Sequence, residues 1–436
     1  MEGAGPVRKA FAPAGPLLGT ACVPGDKSIS HRAVILAALA VGQSRIEGLS
    51  LGRDVAATVA AMQAMGARIG REDDRAIIDG VGVGGLFQPE SALDMGNSGT
   101  AARLLMGVVA THPVAATFIG DSSLSRRPME RVAAPLRRIG ADIAASAGGT
   151  LPATIRGIAP AAPQTTRLAV PSAQVKSALL LAGLNTAGVT RVVEPVATRD
   201  HSERLLRLFG ADIRVEGEEI TLRGEAELRP QTLGVPGDPS AAAFLAVAAS
   251  IVPGSDIRIE NVGINPLRMG IYLVLREMGA DIVFANEREA SGEPVADLRV
   301  RHAPLRAVEV RPELVPAMID EFPIFFVAAA FAEGRSSARG LAELRVKESD
   351  RIAAMADGLR RIGVTVEESE EGLAIQGSGG DPLPGGATVD TRRDHRVAMS
   401  LAVAGLHARA PVTLDDLSSV ATSFPGFPDL VRSLQP

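Results

Sequence analysis

A helix-like run that ends in glycine and passes straight into a strand recurs five times along this chain, at AMGARI (64–69), RIGADI (138–143), LFGADI (208–213), EMGADI (277–282) and RIGVTV (361–366). Glycine at that point fits a left-handed helix C-cap ahead of an extended segment. A second signature alternates with the first, a polar turn opening an Ala- and Leu-rich helix. Its copies are PGDKSISHRAVILAALAVG, MGNSGTAARLLMGVVA, PSAQVKSALLLAGL, PGDPSAAAFLAVAA, DEFPIFFVAAAFAEG and DHRVAMSLAVAGL. Together they repeat roughly every 70 to 80 residues, long for a solenoid but suited to a complete α/β subdomain.

Six copies of one βαβ-containing unit fit the 436 residues. The Ala-rich helices are apolar nearly all round, which marks them as buried inner helices. The helices ahead of the glycine turns, such as RVAAPLRRIG and RIAAMADGLRRIG, carry charge on one face and belong outside. A chain of this length exceeds one ordinary core, so two domains of roughly 200 residues are expected. The repeat pair PGDKS at Pro24 and PGDPS at Pro236 places the division. If residues 1–22 supply the strand missing from the last unit, the chain crosses twice. One domain is then 1–22 plus 237–436, the other 23–236, with a hinge near 23 and 236.

Net charge of −5, no Trp and a single Tyr argue against a nucleic-acid binder, which needs a broad basic surface and stacking platforms. Any anion site must therefore be a local concentration of positive charge. The apolar stretches AVILAALAV and SAAAFLAVAASIV are shorter than a membrane span, and the N-terminus lacks the apolar run of a signal peptide. A cytoplasmic chain without a membrane partner is expected. The only cysteine, Cys22, excludes an intramolecular disulfide; its strand-like surroundings, TACVP, predict a buried structural thiol.

Of 45 basic residues only four are lysines, Lys9, Lys27, Lys176 and Lys347, and the last three lie inside dense polar motifs. A compact, titratable ammonium does what a guanidinium cannot, so these motifs point to anionic chemistry. Lys27, Ser28 and Arg32 stand at the start of the first inner helix, where backbone N–H groups and the helix dipole favour anions. PGDKS lacks the GxxxxGK spacing of a phosphate-binding Walker loop. Asp320, ahead of an almost wholly apolar helix in MIDEFP, is costly there unless paired or functional, with Glu321 the neighbour most easily confused with it. Lys347, Glu348 and Arg351 in LRVKESDR are expected to open another helix, with Lys347 and Arg351 on one face at i, i+4.

Taken in order from about Val23 to Pro428, these motifs resemble the 5-enolpyruvylshikimate-3-phosphate synthases, and SAQVKSA, TRDHSE, MIDEFP and LRVKESDR resemble the class II bacterial branch. The resemblance implies an α/β fold of two domains, the two-domain enolpyruvyl transferase fold, each domain built from three βαβαββ units, with the active site in the cleft between them. It implies transfer of the enolpyruvyl group of phosphoenolpyruvate to the 5-hydroxyl of shikimate 3-phosphate, without metal or cofactor, in a monomer, and glyphosate as inhibitor. Residue by residue, Lys27 contacts both substrates. Ser28, Arg32, Ser172, Ala173, Gln174, Arg199, Asp320 and Lys347 hold shikimate 3-phosphate. Asn97, Gly99, Thr100, Arg127, Gln174, Arg351 and Arg396 hold phosphoenolpyruvate, and Lys347 also reaches it. Asp320, Glu348 and Lys27 are the catalytic candidates, Asp320 as general base and Glu348 moving protons at the methylene carbon. Lys27 and Lys347 should then meet across the cleft. Lys176 is either a phosphate contact or a packing and salt-bridge residue, and His31, His201 and Glu203 read as structural or supporting. Arg126 reads as a surface charge. Ser423, in ATSFP, departs from the lysine of many family members and puts one phosphoenolpyruvate contact in doubt.

Two rivals frame this reading. UDP-N-acetylglucosamine enolpyruvyl transferases share the architecture but place a reactive cysteine in a mobile loop of the first domain, and Cys22 is elsewhere. A noncatalytic binder of phosphorylated metabolites would have little use for Asp320 and Glu348, since carboxylates weaken anion binding.

Overall fold

The computed structural model describes residues 6–436. The chain forms two compact units, one comprising Gly25–Val235 with Ala290–Glu293, the other the chain up to Pro24 with Pro236–Glu289 and Pro294–Pro436. They are called here the inserted and the discontinuous unit. Each has its own apolar core.

The inserted unit repeats one sheet three times. In the second repeat Leu93–Asp94 runs parallel to Ala115–Ile119 (Leu93 opposite Phe118), Thr150–Arg156 lies antiparallel beyond it (Thr117 opposite Thr154), and Asp142–Ser146 forms the far edge. The helix Gly99–Ala110 makes the parallel crossover, and Glu130–Arg138 leads into the antiparallel hairpin. The third repeat has the same order, Thr165–Arg167, Val189–Val193, Glu219–Arg223, Ile213–Glu216. In the first repeat the parallel edge strand comes from the other end of the unit, Thr232–Gly234 against Val41–Glu47.

That borrowing explains how the two units are threaded. Leu18–Cys22 precedes the inserted unit's first helix, Lys27–Ala38, yet pairs parallel with Asp256–Gly263 in the discontinuous unit. Thr232–Gly234 precedes the discontinuous unit's first helix, Pro239–Ile251, yet pairs within the inserted one. Each PGD turn thus follows a strand of one unit and opens a helix of the other. The first twenty-two residues were expected to complete the last repeat. Among the described residues only Lys9–Phe11 does so, antiparallel to Val412–Leu414. Leu18–Cys22 fills the edge that the fourth repeat lacks because its own preceding strand is used elsewhere.

Cys22 is exposed rather than buried. Strand alternation turns Ala21 into the core and Cys22 outward, and the strand lies at the sheet edge. The five glycines of the recurrent turn all have positive φ, between +90° at Gly210 and +105° at Gly66, so a left-handed cap redirects each outer helix into its strand.

Five of the six polar turns of the second signature are side-chain N-caps, the exception being the turn ahead of Phe322–Phe331. Asp26 accepts from Ile29 N, Ser98 from Ala101 N, Ser172 from Val175 N, Asp238 from Ser240 N and Asp394 from Arg396 N. Every residue of Pro239–Ile251, Phe322–Phe331 and His395–Gly405 is buried. In the inserted unit the inner helices are buried except at their first turns, at Lys27 and Ser28, at Thr100, and at Ala173 and Gln174. Apolar burial fixes the helices, and solvent reaches only the ends that carry positive dipole. Among the described residues no single helix is long and apolar enough to cross a membrane.

Candidate active site

In the inserted unit the three half-buried helix starts are joined by side chains. Gln174 Nε2 donates to Thr100 Oγ1 at 3.0 Å, and Gln174 Oε1 accepts from Arg103 Nη1 at 2.9 Å. Arg32 Nη2 donates to Ser177 Oγ at 2.6 Å, its Nε to Ser202 Oγ at 2.7 Å, and its Nη1 to the Ser28 carbonyl at 2.8 Å. Lys27 Nζ lies 2.9 Å from Asp54 Oδ2. Arg127 donates to the Asn97 carbonyl at 3.2 Å and to Asn97 Oδ1 at 2.6 Å, while Asn97 Nδ2 donates to Asp121 at 2.6 Å. Arg199 is half-buried between Thr198 and Asp200, just ahead of the helix His201–Leu208. Arg32, Arg103 and Arg127 donate to neutral acceptors and Lys27 pairs with one carboxylate, so beside three helix N-termini they make the local positive concentration that the net charge of the chain requires of an anion site.

Helix starts differ slightly from the sequence reading. Ala173 and Gln174, placed in the polar turn of PSAQVKSALLLAGL, are already the first two residues of the helix Ala173–Gly183, because Ser172 caps it. Gly99 and Thr100 likewise open their helix behind Ser98. A Cβ at Gly99 would stand 2.8 Å from Arg103 Nη1 and 3.2 Å from Arg127 Nη1, so the absence of a side chain lets two guanidinium groups approach the backbone.

The discontinuous unit carries a continuous ionic network. Arg351 is 1% exposed; its Nε donates to Asp394 Oδ2 at 2.8 Å, its Nη2 to Glu348 Oε2 at 2.6 Å, and its Nη1 lies 3.5 Å from Asp320 Oδ1. Lys347 Nζ is 3.5 Å from the same Asp320 oxygen. Arg396 Nη1 donates to the Asp320 carbonyl at 2.8 Å and lies 3.3 Å from Glu321 Oε1, which also accepts from Ser240 Oγ. Arg268 completes the chain, donating to Ser240 Oγ at 2.7 Å and pairing with Asp238 at 3.3 Å.

Four of these five carboxylates, those around Arg351 and Arg396, fall into two kinds. Asp394 and Glu321 are buried, 0% and 2% exposed, and hold the arginines. Asp320 and Glu348 keep 15% and 16% of their side chains in solvent and bracket Arg351 from the open side. The inner pair orients and the outer pair is reachable by a ligand. Burial pushes the Lys347 ammonium below its ordinary range, with Asp320 and Glu343 pulling the other way. Burial opposes ionisation of Arg351 and Asp394 too. There the direct pair prevails: Asp394, Glu348 and Asp320 hold the guanidinium above its usual value, and Arg351 holds the Asp394 carboxyl below its own.

Lys347 and Glu348 do not open a helix. The helix is Arg351–Arg361, capped by Asp350 through Ala353 N at 3.0 Å, and Lys347 closes a preceding short 3-10 turn. A capping aspartate outweighed the helical spacing, yet Lys347 and Arg351 still meet on Asp320. Glu321, set beside Asp320 in sequence as its near-double, proves to be the buried partner of Arg396.

Several supporting residues went unnoticed in the sequence. Arg103 donates to Gln174 and to the Pro128 carbonyl at 3.1 Å; its signal was an arginine in an otherwise apolar inner helix. Asp394 and Asp238 were legible as caps but not as arginine partners, and Asp54 carried no local signal. His31 is buried against Thr58 Oγ1 at 2.7 Å; burial, then Lys27 and Arg32, hold its imidazole neutral. Lys176 is buried in a cluster with Glu194 and Glu203, His201 bonds Glu293, and Arg126 is exposed. Ser423 is half-buried at the end of the 3-10 turn Ser418–Thr422.

Comparison with known proteins places the chain in a family. The family model described as EPSP synthase (3-phosphoshikimate 1-carboxyvinyltransferase) matches residues 11–431. The chain is 61% identical over 437 residues to a 3-phosphoshikimate 1-carboxyvinyltransferase of Sphingopyxis alaskensis, covering 98% of both chains. An EPSP synthase structure from Acinetobacter baumannii superposes with a TM-score of 0.87 at 44% identity, covering 98% of each chain. The enolpyruvyl transferase NikO from Streptomyces tendae shares the fold, with a TM-score of 0.79 at 20% identity. With a family model spanning nearly the whole chain and a relative this similar over its full length, the protein belongs to the EPSP synthase family.

Proposed function

We propose that this protein transfers the enolpyruvyl group of phosphoenolpyruvate to the 5-hydroxyl of shikimate 3-phosphate, releasing phosphate, as a step of aromatic amino acid biosynthesis. The observation that carries the assignment to these residues is the pair of reachable carboxylates, Asp320 and Glu348, set on one buried guanidinium beside Lys347 and Arg396. Addition and elimination need a proton delivered to carbon and another taken from an alcohol, and two reachable carboxylates supply one group for each transfer.

Glu348 protonates the methylene carbon of phosphoenolpyruvate, leaving C2 electrophilic. Asp320 takes the proton of the 5-hydroxyl as its oxygen adds to C2. The tetrahedral adduct then loses a methyl proton to Glu348 and its phosphate as the leaving group, restoring the double bond. Lys347, Arg351 and Arg396 neutralise the phosphate and carboxylate of phosphoenolpyruvate. Lys27, Asn97, Gly99, Thr100, Arg127 and Gln174 supply the donors on the inserted unit. Lys27, Ser28, Arg32, Ser172, Ala173, Gln174 and Arg199 hold shikimate 3-phosphate, with Asp320 and Lys347 at its hydroxyl end. Guanidinium, ammonium and helix-start N–H groups suit the several negative charges that the two substrates bring together. The protein works as a cytoplasmic monomer, and glyphosate competes where phosphoenolpyruvate binds.

Phosphate release tests the reading. It should require both phosphoenolpyruvate and shikimate 3-phosphate. Release with UDP-N-acetylglucosamine as acceptor, or binding without turnover, overturns it.

A further inference from the structure

We propose that Lys176 is a positioning residue for the shikimate 3-phosphate side of the site: its buried ammonium clamps the segment 194–200, and with it Arg199, against the helix that begins at Ser172, Ala173 and Gln174. The inference rests on the function proposed above. Lys176 is 1% exposed, and its Nζ lies 2.8 Å from Glu194 Oε2, 2.8 Å from Glu203 Oε1 and 3.1 Å from the Thr198 carbonyl, to which it donates. An ammonium has three N–H donors, and three acceptors meet it here. Glu194 directly follows the strand Val189–Val193, Thr198 precedes Arg199, and Glu203 sits in the first turn of the helix His201–Leu208. One cation therefore ties both ends and the middle of the loop that carries Arg199. Thr198 Oγ1 also donates to Glu194 Oε1, doubling the hold on the residue next to Arg199.

The neighbouring rung shows what the geometry serves. Ser177 and Ser202, each one position from a member of the cluster, meet hydroxyl to hydroxyl at 2.7 Å, and both accept from Arg32. The helices Ala173–Gly183 and His201–Leu208 are thus joined at two adjacent positions. Ser177 and Ser202 fix Arg32, and Lys176 with Glu203 fixes the loop of Arg199. A salt bridge serving stability alone has no need to grip a backbone carbonyl beside a binding arginine. A planar guanidinium fork would not reach three acceptors arranged around one point, which accounts for a lysine at 176 in a chain with only four lysines among its 45 basic residues.

The test replaces the whole cluster with neutral side chains of similar size, Lys176→Met with Glu194→Gln and Glu203→Gln, so that no buried charge is left without its counterion. Amide hydrogen exchange across 196–200 should rise in a protein whose circular dichroism is unchanged. The KM for shikimate 3-phosphate should rise about tenfold or more, with the KM for phosphoenolpyruvate moving less than about twofold. In an Arg199→Ala background the same three substitutions should add nothing further, because the clamp acts through Arg199. Lys176→Arg, which keeps the charge and loses the three-donor geometry, should show the same selective rise, and it carries every readout if the neutral variant fails to fold. An unchanged KM for shikimate 3-phosphate, an equal rise in both KM values, or additivity with Arg199→Ala overturns the proposal. The exchange measurement needs no substrate. Absence of phosphate release by the unaltered protein removes the functional reading, whereas unchanged exchange in a folded variant removes the clamp itself.

Discussion

Asp394→Asn isolates the electrostatic weight of the arginine network from the helix cap that shares the same side chain. Asp394 accepts from the Arg396 amide at 2.9 Å as N-cap and from Arg351 Nε at 2.8 Å as counterion, at 0% exposure. Asparagine caps a helix about as well as aspartate, so the helix His395–Gly405 keeps its start. Removing one partner of a buried ion pair typically costs about 3–5 kcal/mol. Arg351 retains Glu348 at 2.6 Å and Asp320 at 3.5 Å, which places the expected loss at the low end, about 3 kcal/mol. Asp394→Ala, which also removes the cap, should lose roughly 1 kcal/mol more. The assay is favourable: the chain has no tryptophan, and its only tyrosine, Tyr272, is buried in the discontinuous unit, so tyrosine emission during urea unfolding follows the unit that carries Asp394. The native carboxyl lies below its ordinary value, so its contribution is fully present above the unfolded carboxylate range and is lost as pH falls through the lower native value. The gap between the two proteins should therefore close in acid. A variant within about 0.5 kcal/mol of the parent at pH 7, or a gap that persists in strong acid, refutes this account of Arg351 and Asp394.

Glu348→Gln should lower kcat by about 100-fold or more while changing either KM far less, as expected for a proton-transfer group; steady-state phosphate release measures it, and an unimpaired rate removes Glu348 from the chemistry. Gly99→Ala should raise the glyphosate concentration needed for half inhibition and also weaken phosphoenolpyruvate, because the added methyl would stand 2.8 Å from Arg103 Nη1 and 3.2 Å from Arg127 Nη1; unchanged inhibition contradicts the placement of that turn. The free-enzyme profile of kcat/KM should fall at alkaline pH below the ordinary lysine value of 10.5, since burial depresses Lys347 and its charge is lost as pH rises. Lys347→Arg should abolish that limb, and a limb that survives belongs to another group.

Sequence by itself determined the repeats, because their cause is local. Periodicity marks a buried helix, a capping Ser or Asp marks its start, and a glycine at positive φ marks where an outer helix turns into a strand, as at Gly66 and Gly210. The site candidates were legible for the same reason: Lys27, Thr100 and Gln174 sit within the first two turns of helices whose remaining residues are buried. Tertiary structure decided what depends on distant partners. Leu18–Cys22 and Thr232–Gly234 have no local feature that says which sheet they join, since a short edge strand takes its place from whichever neighbour has a free edge. Lys176 read equally well as a phosphate contact or a buried cation until Glu194, Thr198 and Glu203 were found around it. Asp54 and Asp394 became visible as partners only through the charges they face, because a buried ion pair is a relation between segments far apart in the chain and leaves no periodic trace in either.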